Sequence, residues 1–249
     1  MDPVTKYFYL IAAGLGAGLM NAVAGGGSFL TFPALVWSGI PSVIANASST
    51  VALFPASFAS AWAYRREAER LNKLALGPAV AASIAGGIAG AILLLYTPER
   101  VFDSVVPWIL LIATVTLAVG PRVSGAANGR FEIGSGSLIL LQFIVGIYGG
   151  YFGGAVGIMM LAAWSIAGVG DIHAMNAGKT LLAGTMNAAA VICFMIAGKI
   201  WWPGTLAMLS GAVVGGYAGA RLAKRLAPQV LRPVVIAICV VVTVAFFIR

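Results

Sequence analysis

The chain has 249 residues, of which 61% are hydrophobic and only 9% charged, and its mean hydropathy is +1.00. A soluble domain carries about a quarter charged residues, so this composition excludes a surface that faces water all round and implies a polytopic membrane protein. The net charge of +8 falls between apolar segments rather than among aromatics on one face; that pattern fixes topology and excludes nucleic acid as a partner.

The N-terminal stretch MDPVTKYFYLIAAGLGAGLM carries Asp2 beside Lys6 and no clear cleavage site. It reads as the first membrane element rather than as a signal peptide. Apolar segments run over roughly 7–38, 43–64, 75–96, 105–120, 134–168, 174–197, 201–222 and 230–248. Six of these eight have about the length of one span, whereas the first and fifth are too long for one and hold glycines in their middle. The first is predicted as two arms, 7–23 and 28–38, parted by Gly25, Gly26 and Gly27. The fifth is predicted as arms 134–150 and 155–168; it lacks the triplet and a later proline, so its break should be the gentler one.

An unpaired backbone group is costly in hydrocarbon, so a broken helix is tolerated only where protein or a watery cavity covers it. The triplet frees the backbone to turn and lets another group approach closely. Pro33 in turn cannot donate to residue 29. Positive half-helix ends facing a cavity suit an anion, while close helix packing is the competing use of the same glycines. The four-residue spacings among Gly86, Gly90, Gly211, Gly215 and Gly219 point to packing seams instead.

The chain also resembles itself. Asn46 and Asn176, Thr50 and Thr180, Gly16 and Gly146, Gly27 and Gly157, and Pro98 and Pro228 share one offset of 130, and Gly86, Gly87 and Gly90 map to Gly215, Gly216 and Gly219 at 129. Two repeats are predicted, 1–120 and 131–249, joined by a polar linker at 121–130. The loop YRREAERLNK (64–73) has four basic and two acidic residues, and 221–232 holds Arg221, Lys224, Arg225 and Arg232 with no acid. Their repeat-mates carry the opposite character: Lys199 alone near 198–202, and Glu99 and Asp103 against Arg100. Placing 64–73, 121–134 and 221–232 in the cytoplasm satisfies the positive-inside rule. It makes the repeats inverted, turns each long segment into a re-entrant hairpin and leaves both termini outside. The predicted fold class is thus an all-α polytopic membrane protein of two inverted repeats, with broken glycine-rich helices or re-entrant hairpins and about eight hydrophobic segments.

Asn46, Ser49, Thr50 and Ser57 recur as Asn176, Lys179, Thr180 and Asn187, and an 11-residue separation returns to nearly the same helix face. Each stripe is expected to line a cavity, with polar contact between helices as the alternative. The two asparagines also suit a helix start. Lys179 is the only lysine inside a predicted membrane segment, about 7–8 Å deep. A cation there would attract an anion, or it could snorkel to the nearer interface. Asp171 and His173 stand at the mouth of the same segment, Asp171 as a candidate cap and His173 as a candidate proton-coupling group. Cys193 and Cys239 lie in apolar runs without metal-ligand spacing and read as small buried hydrophobes. One histidine, no paired intramembrane carboxylate and no phosphate-binding loop leave no enzyme constellation. No cofactor or metal is expected, and transport without an ATP motif must be secondary or passive, or driven by another chain.

These residues carry a resemblance. GLGAGLMNAVAGGGSFLTFPAL, the turn Gly39-Ile40-Pro41, the start Ala45-Asn46-Ala47-Ser48-Ser49-Thr50, the degenerate GIYGGYFGGAVGIMML and the segment DIHAMNAGKTLLAGTMNAAAV together resemble the sulfite exporter TauE/SafE family of membrane transporter proteins over essentially the whole chain. The resemblance implies a multi-pass protein of the bacterial inner membrane that moves small sulfur or carboxylate anions such as sulfite, thiosulfate or sulfoacetate. Substrate-binding candidates are Gly25, Gly26, Gly27, Asn46, Ser49, Thr50, Gly157, Asn176, Lys179, Thr180 and Asn187. Expected partners are a small anionic substrate and membrane lipid, with a homodimer as one option for assembly. An anion channel and a non-transporting intramembrane structural or regulatory protein are the alternative functions.

Overall fold

A computed structural model describes residues 2–23, 26–63, 75–126, 134–167, 172–223 and 228–248. Among them are ten α-helices and no strand: α1 (Pro3–Val23), α2 (Ser28–Trp37), α3 (Ser42–Ala63), α4 (Leu76–Tyr96), α5 (Glu99–Ala126), α6 (Ser135–Tyr151), α7 (Val156–Ile166), α8 (Ile172–Ile196), α9 (Trp202–Ala223) and α10 (Pro228–Ile248). Among the described residues, three stretches are long and apolar enough to cross a membrane, Leu76–Tyr96, Glu99–Gly120 and Ala177–Ile196.

Both long segments are broken where the glycines predict. The first is α1 and α2, and the second is α6 and α7. With 10 and 11 residues, α2 and α7 are each about 15 Å long, half the hydrocarbon thickness. The second break is no gentler than the first. Gly153 (φ +79°) and Ala155 (φ +59°) both take left-handed conformations there, as Gly26 (φ +99°) does in the first. An alanine in that region is strained by about 1 kcal/mol, so the surrounding structure holds it.

Protein groups repair these breaks. The Gly27 carbonyl accepts from the Leu30 and Thr31 amides at 3.0 and 3.2 Å, and also from the Thr31 hydroxyl at 3.3 Å. At the second break, the Tyr148 hydroxyl donates to the Gly154 carbonyl at 2.8 Å, while the Ile158 and Met159 amides turn back to the Ala155 carbonyl. The loop between α2 and α3 turns on Gly39 (φ +84°) just before Pro41.

The chain forms two compact units. One comprises Met1–Ala56, Leu95–Thr114 and Phe194–Arg249; the other comprises Ser57–Leu94 and Val115–Cys193. Each draws residues from both sequence halves. In the first unit, α1 lies along α9 with backbones in direct contact: a Cβ on Gly215 would stand 2.7 Å from the Leu15 carbonyl carbon, and one on Gly211 would stand 2.9 Å from the Leu15 nitrogen. The ring of Phe32 meets Phe102 edge-on at 6.1 Å and stacks on Phe246 at 5.5 Å, which fixes the short α2 between longer helices. In the second unit, α6 lies along α4 in the same manner. A Cβ on Gly86 would reach the Phe143 carbonyl at 2.5 Å, and one on Gly90 would reach the Tyr151 nitrogen at 2.7 Å. The seam reading of Gly86, Gly90, Gly211 and Gly215 therefore holds; the side of α9 at Gly219 lies outside the described set. The core of this unit is Leu138, Met160, Trp164, Leu182 and Met186, all buried.

Candidate functional site

The two stripes stand on α3 and α8, the helices that follow the broken arms. Neither asparagine caps its helix: Asn46 and Asn176 are the fifth residues of α3 and α8. The start of α3 is secured differently. The Ala45 amide donates to the Pro41 carbonyl at 2.8 Å, the Val43 amide to Glu99 Oε2 at 3.0 Å, and the Ser42 hydroxyl to Asp103 Oδ1. Glu99 thus satisfies an orphan amide, Asp103 takes the Ser42 hydroxyl, and both carboxylates oppose the positive end of the dipole. Because these groups serve the first turn, Asn46 is left buried in the helix interior, 1% exposed.

In the first unit, Ser49 is buried and its hydroxyl lies 2.5 Å from that of Thr31 on α2. Thr31 is buried too. Thr50 donates to the Asn46 carbonyl at 3.0 Å. Gly26 and Gly27 are both buried, and a Cβ on Gly27 would stand 2.8 Å from the Ala17 carbonyl and 3.2 Å from both Asn21 Cβ and Leu53 Cδ1. Gly27 is therefore a close-approach glycine, needed for contact among α1, α2 and α3. Gly25 lies outside the described residues.

In the second unit, Lys179 is the eighth residue of α8, about 10 Å along its axis, because the helix begins at Ile172, before the predicted start. Lys179 is half-buried, and its stem runs across Gly157 in the first turn of α7: a Cβ on Gly157 would sit 3.5 Å from Lys179 Cδ and 4.0 Å from Cγ. Thr180 is half-buried one position on. Asn187 is half-buried as well, with its Oδ1 enclosed and without a hydrogen-bond partner. The structure brings together Gly157 and Lys179; the side chains of Asn176, His173 and Ser57 and the whole of Asp171, and with them the predicted coupling pair, lie outside the described residues.

Several polar residues escaped sequence reasoning. Ser48 is fully buried and accepts from the Trp201 amide at 2.9 Å. The Trp201 ring is stacked on Tyr7 and covered by the Lys6 ammonium at 4.5 Å. Gln142 is 1% exposed on α6; its Nε2 donates to the Ser83 hydroxyl at 2.9 Å, while its Oε1 meets no partner. Tyr148 secures the second break as described. Each is a single polar residue without a periodic companion, so no pattern marks it.

A family model described as sulfite exporter TauE/SafE matches residues 10–246. The chain is similar to a protein of Escherichia coli (strain K12) described as "Probable membrane transporter protein YfcA", at 26% identity over 91% of this chain and 84% of the relative. It is 27% identical to "Probable membrane transporter protein ORF9" of a Sinorhizobium species, over 97% of this chain and 90% of the relative. A third similar protein, from Haemophilus influenzae, is described as "Probable membrane transporter protein" and is 26% identical over 91% of this chain and 89% of its own length. No solved structure matches the chain. Broken glycine-rich segments, membrane-length apolar helices and a match that runs almost from end to end lead to one assignment: the chain is a multi-pass membrane protein and belongs to the sulfite exporter TauE/SafE family.

Proposed function

We propose that the protein is a secondary transporter of small inorganic or organic anions, sulfite or a related sulfur or carboxylate compound, working by alternating access in the bacterial inner membrane. The observation that carries this reading is Lys179 lying across Gly157 at the start of α7. A cation is disfavoured at a helix N-terminus, where the first amides already present positive partial charge. The two together make a site that an anion stabilises. The family match and the described relatives support transport as the activity. The constant sequence offset between the two halves supports alternating access, since internal repeats of this kind are common in secondary transporters.

The test is calorimetry on folded, monodisperse protein with sulfite, thiosulfate, sulfate, sulfoacetate and acetate, followed by flux of the tightest binder in proteoliposomes. Lys179→Met keeps the stem and removes the charge, and should weaken binding by about tenfold or more, about 1.4 kcal/mol. Lys179→Arg should retain part of the affinity. Equal dissociation constants for wild type and Lys179→Met would return the lysine to an interfacial role. Saturable flux with counterflow exchange separates a carrier from a channel, and no flux at all would favour the structural alternative.

A further inference from the structure

We infer that the two halves carry one anchoring geometry twice and that only the second copy takes an anion, so that each chain binds a single anion in the room left by Gly157. This rests on the anion-transport reading above and specifies where, and how many times, the anion is held.

The two copies match at the 130-residue offset: Gly27 with Gly157 at the start of the short arm, Thr31 with Leu161 one turn on, and Ser49 with Lys179 on the helix that follows. In both, the residue on the following helix reaches the first turn or two of the short arm. In the first copy the geometry is closed. Ser49 and Thr31 are buried against each other at 2.5 Å, and Thr31 donates onward to the Gly27 carbonyl. Protein atoms on α1 and α3 stand closer to Gly27 than a methyl group would allow. That copy has neither charge nor space, and its hydroxyls already serve each other.

The second copy differs in residue at two of these positions and in surroundings at the third. Leu161 offers no hydroxyl to the lysine. Among the described residues, a Cβ on Gly157 would meet only the Lys179 stem, at ordinary van der Waals distances of 3.5 and 4.0 Å. Packing therefore does not require glycine at 157, as it does at 27. The short arms differ in the same sense: on α2 seven of ten residues are buried, whereas on α7 only Val156, Met160, Trp164 and Ser165 are. The glycine that packing does not need lies under the lysine stem, and the absent methyl is the room a ligand would use. Gly157 thus sets the size of the anion that Lys179 holds.

Calorimetry with the five anions named above tests this. Wild type should bind one equivalent. Gly157→Ala should melt no lower than wild type yet weaken binding by about fivefold or more, with the larger sulfate and thiosulfate losing more than acetate. Thr31→Val, which opens the first copy, should melt at a lower temperature and keep its affinity within about twofold. The double variant Lys179→Ser, Leu161→Thr rewrites the second copy as the first and should fold but not bind. A stoichiometry of two, an unchanged dissociation constant for Gly157→Ala, binding by the double variant, or loss of binding in folded Thr31→Val would each overturn the inference while leaving anion transport standing. If wild type binds none of the five, the transport reading falls and this inference with it.

Discussion

Gly215 and Gly216 are neighbours on α9, and alanine should have opposite effects at the two positions. A Cβ at Gly215 would stand 2.7 Å from the carbonyl carbon and 2.9 Å from the Cα of Leu15, while one at Gly216 meets nothing within 4 Å among the described residues. Both substitutions remove the entropy that glycine loses in a helix interior, a gain of about 0.5–1 kcal/mol. At 216 nothing opposes that gain. At 215 the obstacle is backbone, which has no rotamer to yield, so α1 and α9 must separate. A gap of about 0.5–1 Å forfeits a quarter to a half of each contact along the seam, and overpacking of this kind costs about 1–3 kcal/mol. The other glycines of the seam loosen with it, since Gly14 and Gly18 of α1 approach the Met208 and Ala212 backbones in the same way. Net destabilisation of Gly215→Ala should be about 1–2 kcal/mol, a fall of roughly 2–8 °C in melting temperature, with Gly216→Ala raising it by about 1–4 °C. Thermal unfolding in detergent, followed by the monodisperse fraction remaining after each temperature step, measures both. Gly215→Ala as stable as wild type, or equal losses at both positions, would refute the α1–α9 packing.

Tyr148→Phe removes the donor to the Gly154 carbonyl at the second break and should cost about 1–3 kcal/mol, read in the same melting assay, with wild-type stability as the contrary result. Cysteines at Thr114 and Thr243, in a background lacking Cys193 and Cys239, should form a disulfide within one chain, because the two hydroxyls lie 2.9 Å apart and a disulfide needs Cβ atoms about 3.5–4.5 Å apart; only inter-chain products on a non-reducing gel would contradict the contact. A cysteine at Ala227, beside the basic run from Arg221 to Arg232, should react with an impermeant reagent only after permeabilisation, and labelling in intact cells would reverse the proposed topology.

The breaks were legible because glycine clusters in an apolar run have few uses, and the predicted arms 7–23, 28–38, 134–150 and 155–168 agree with α1, α2, α6 and α7 to within a few residues. The left-handed Ala155 was not legible, since alanine gives no sign of that conformation. Long-range repair of helix ends was equally hidden: Glu99 and Asp103 read as topology charges, yet they act on Val43 and Ser42 across 56 and 61 residues. The asparagines misled for a related reason. Asn is favoured at helix starts, but at Asn46 that preference has no force because the Pro41 carbonyl, Glu99 and Asp103 already serve the first turn of α3. Of the loops that the charge argument assigns to the cytoplasm, 64–73, 127–133 and 224–227 lie outside the described residues.

The repeat is kept in the backbone and altered in the chemistry. Close approach in each unit joins the first helix of one half to the fourth of the other: α1 to α9 through Gly211 and Gly215, and α6 to α4 through Gly86 and Gly90. Glycine seams of this sort specify geometry and carry no charge, so they can recur in both halves without creating a second site. In the proposed site, binding is decided by the side chains laid over the short arms, and there the halves differ by a hydroxyl pair on one side and a lysine on the other. An ammonium in a membrane is costly unless an anion or water meets it. One such group per chain carries that cost once, whereas a second lysine at position 49 would have to displace the buried Thr31–Ser49 pair and enter a space that Ala17, Asn21 and Leu53 already fill.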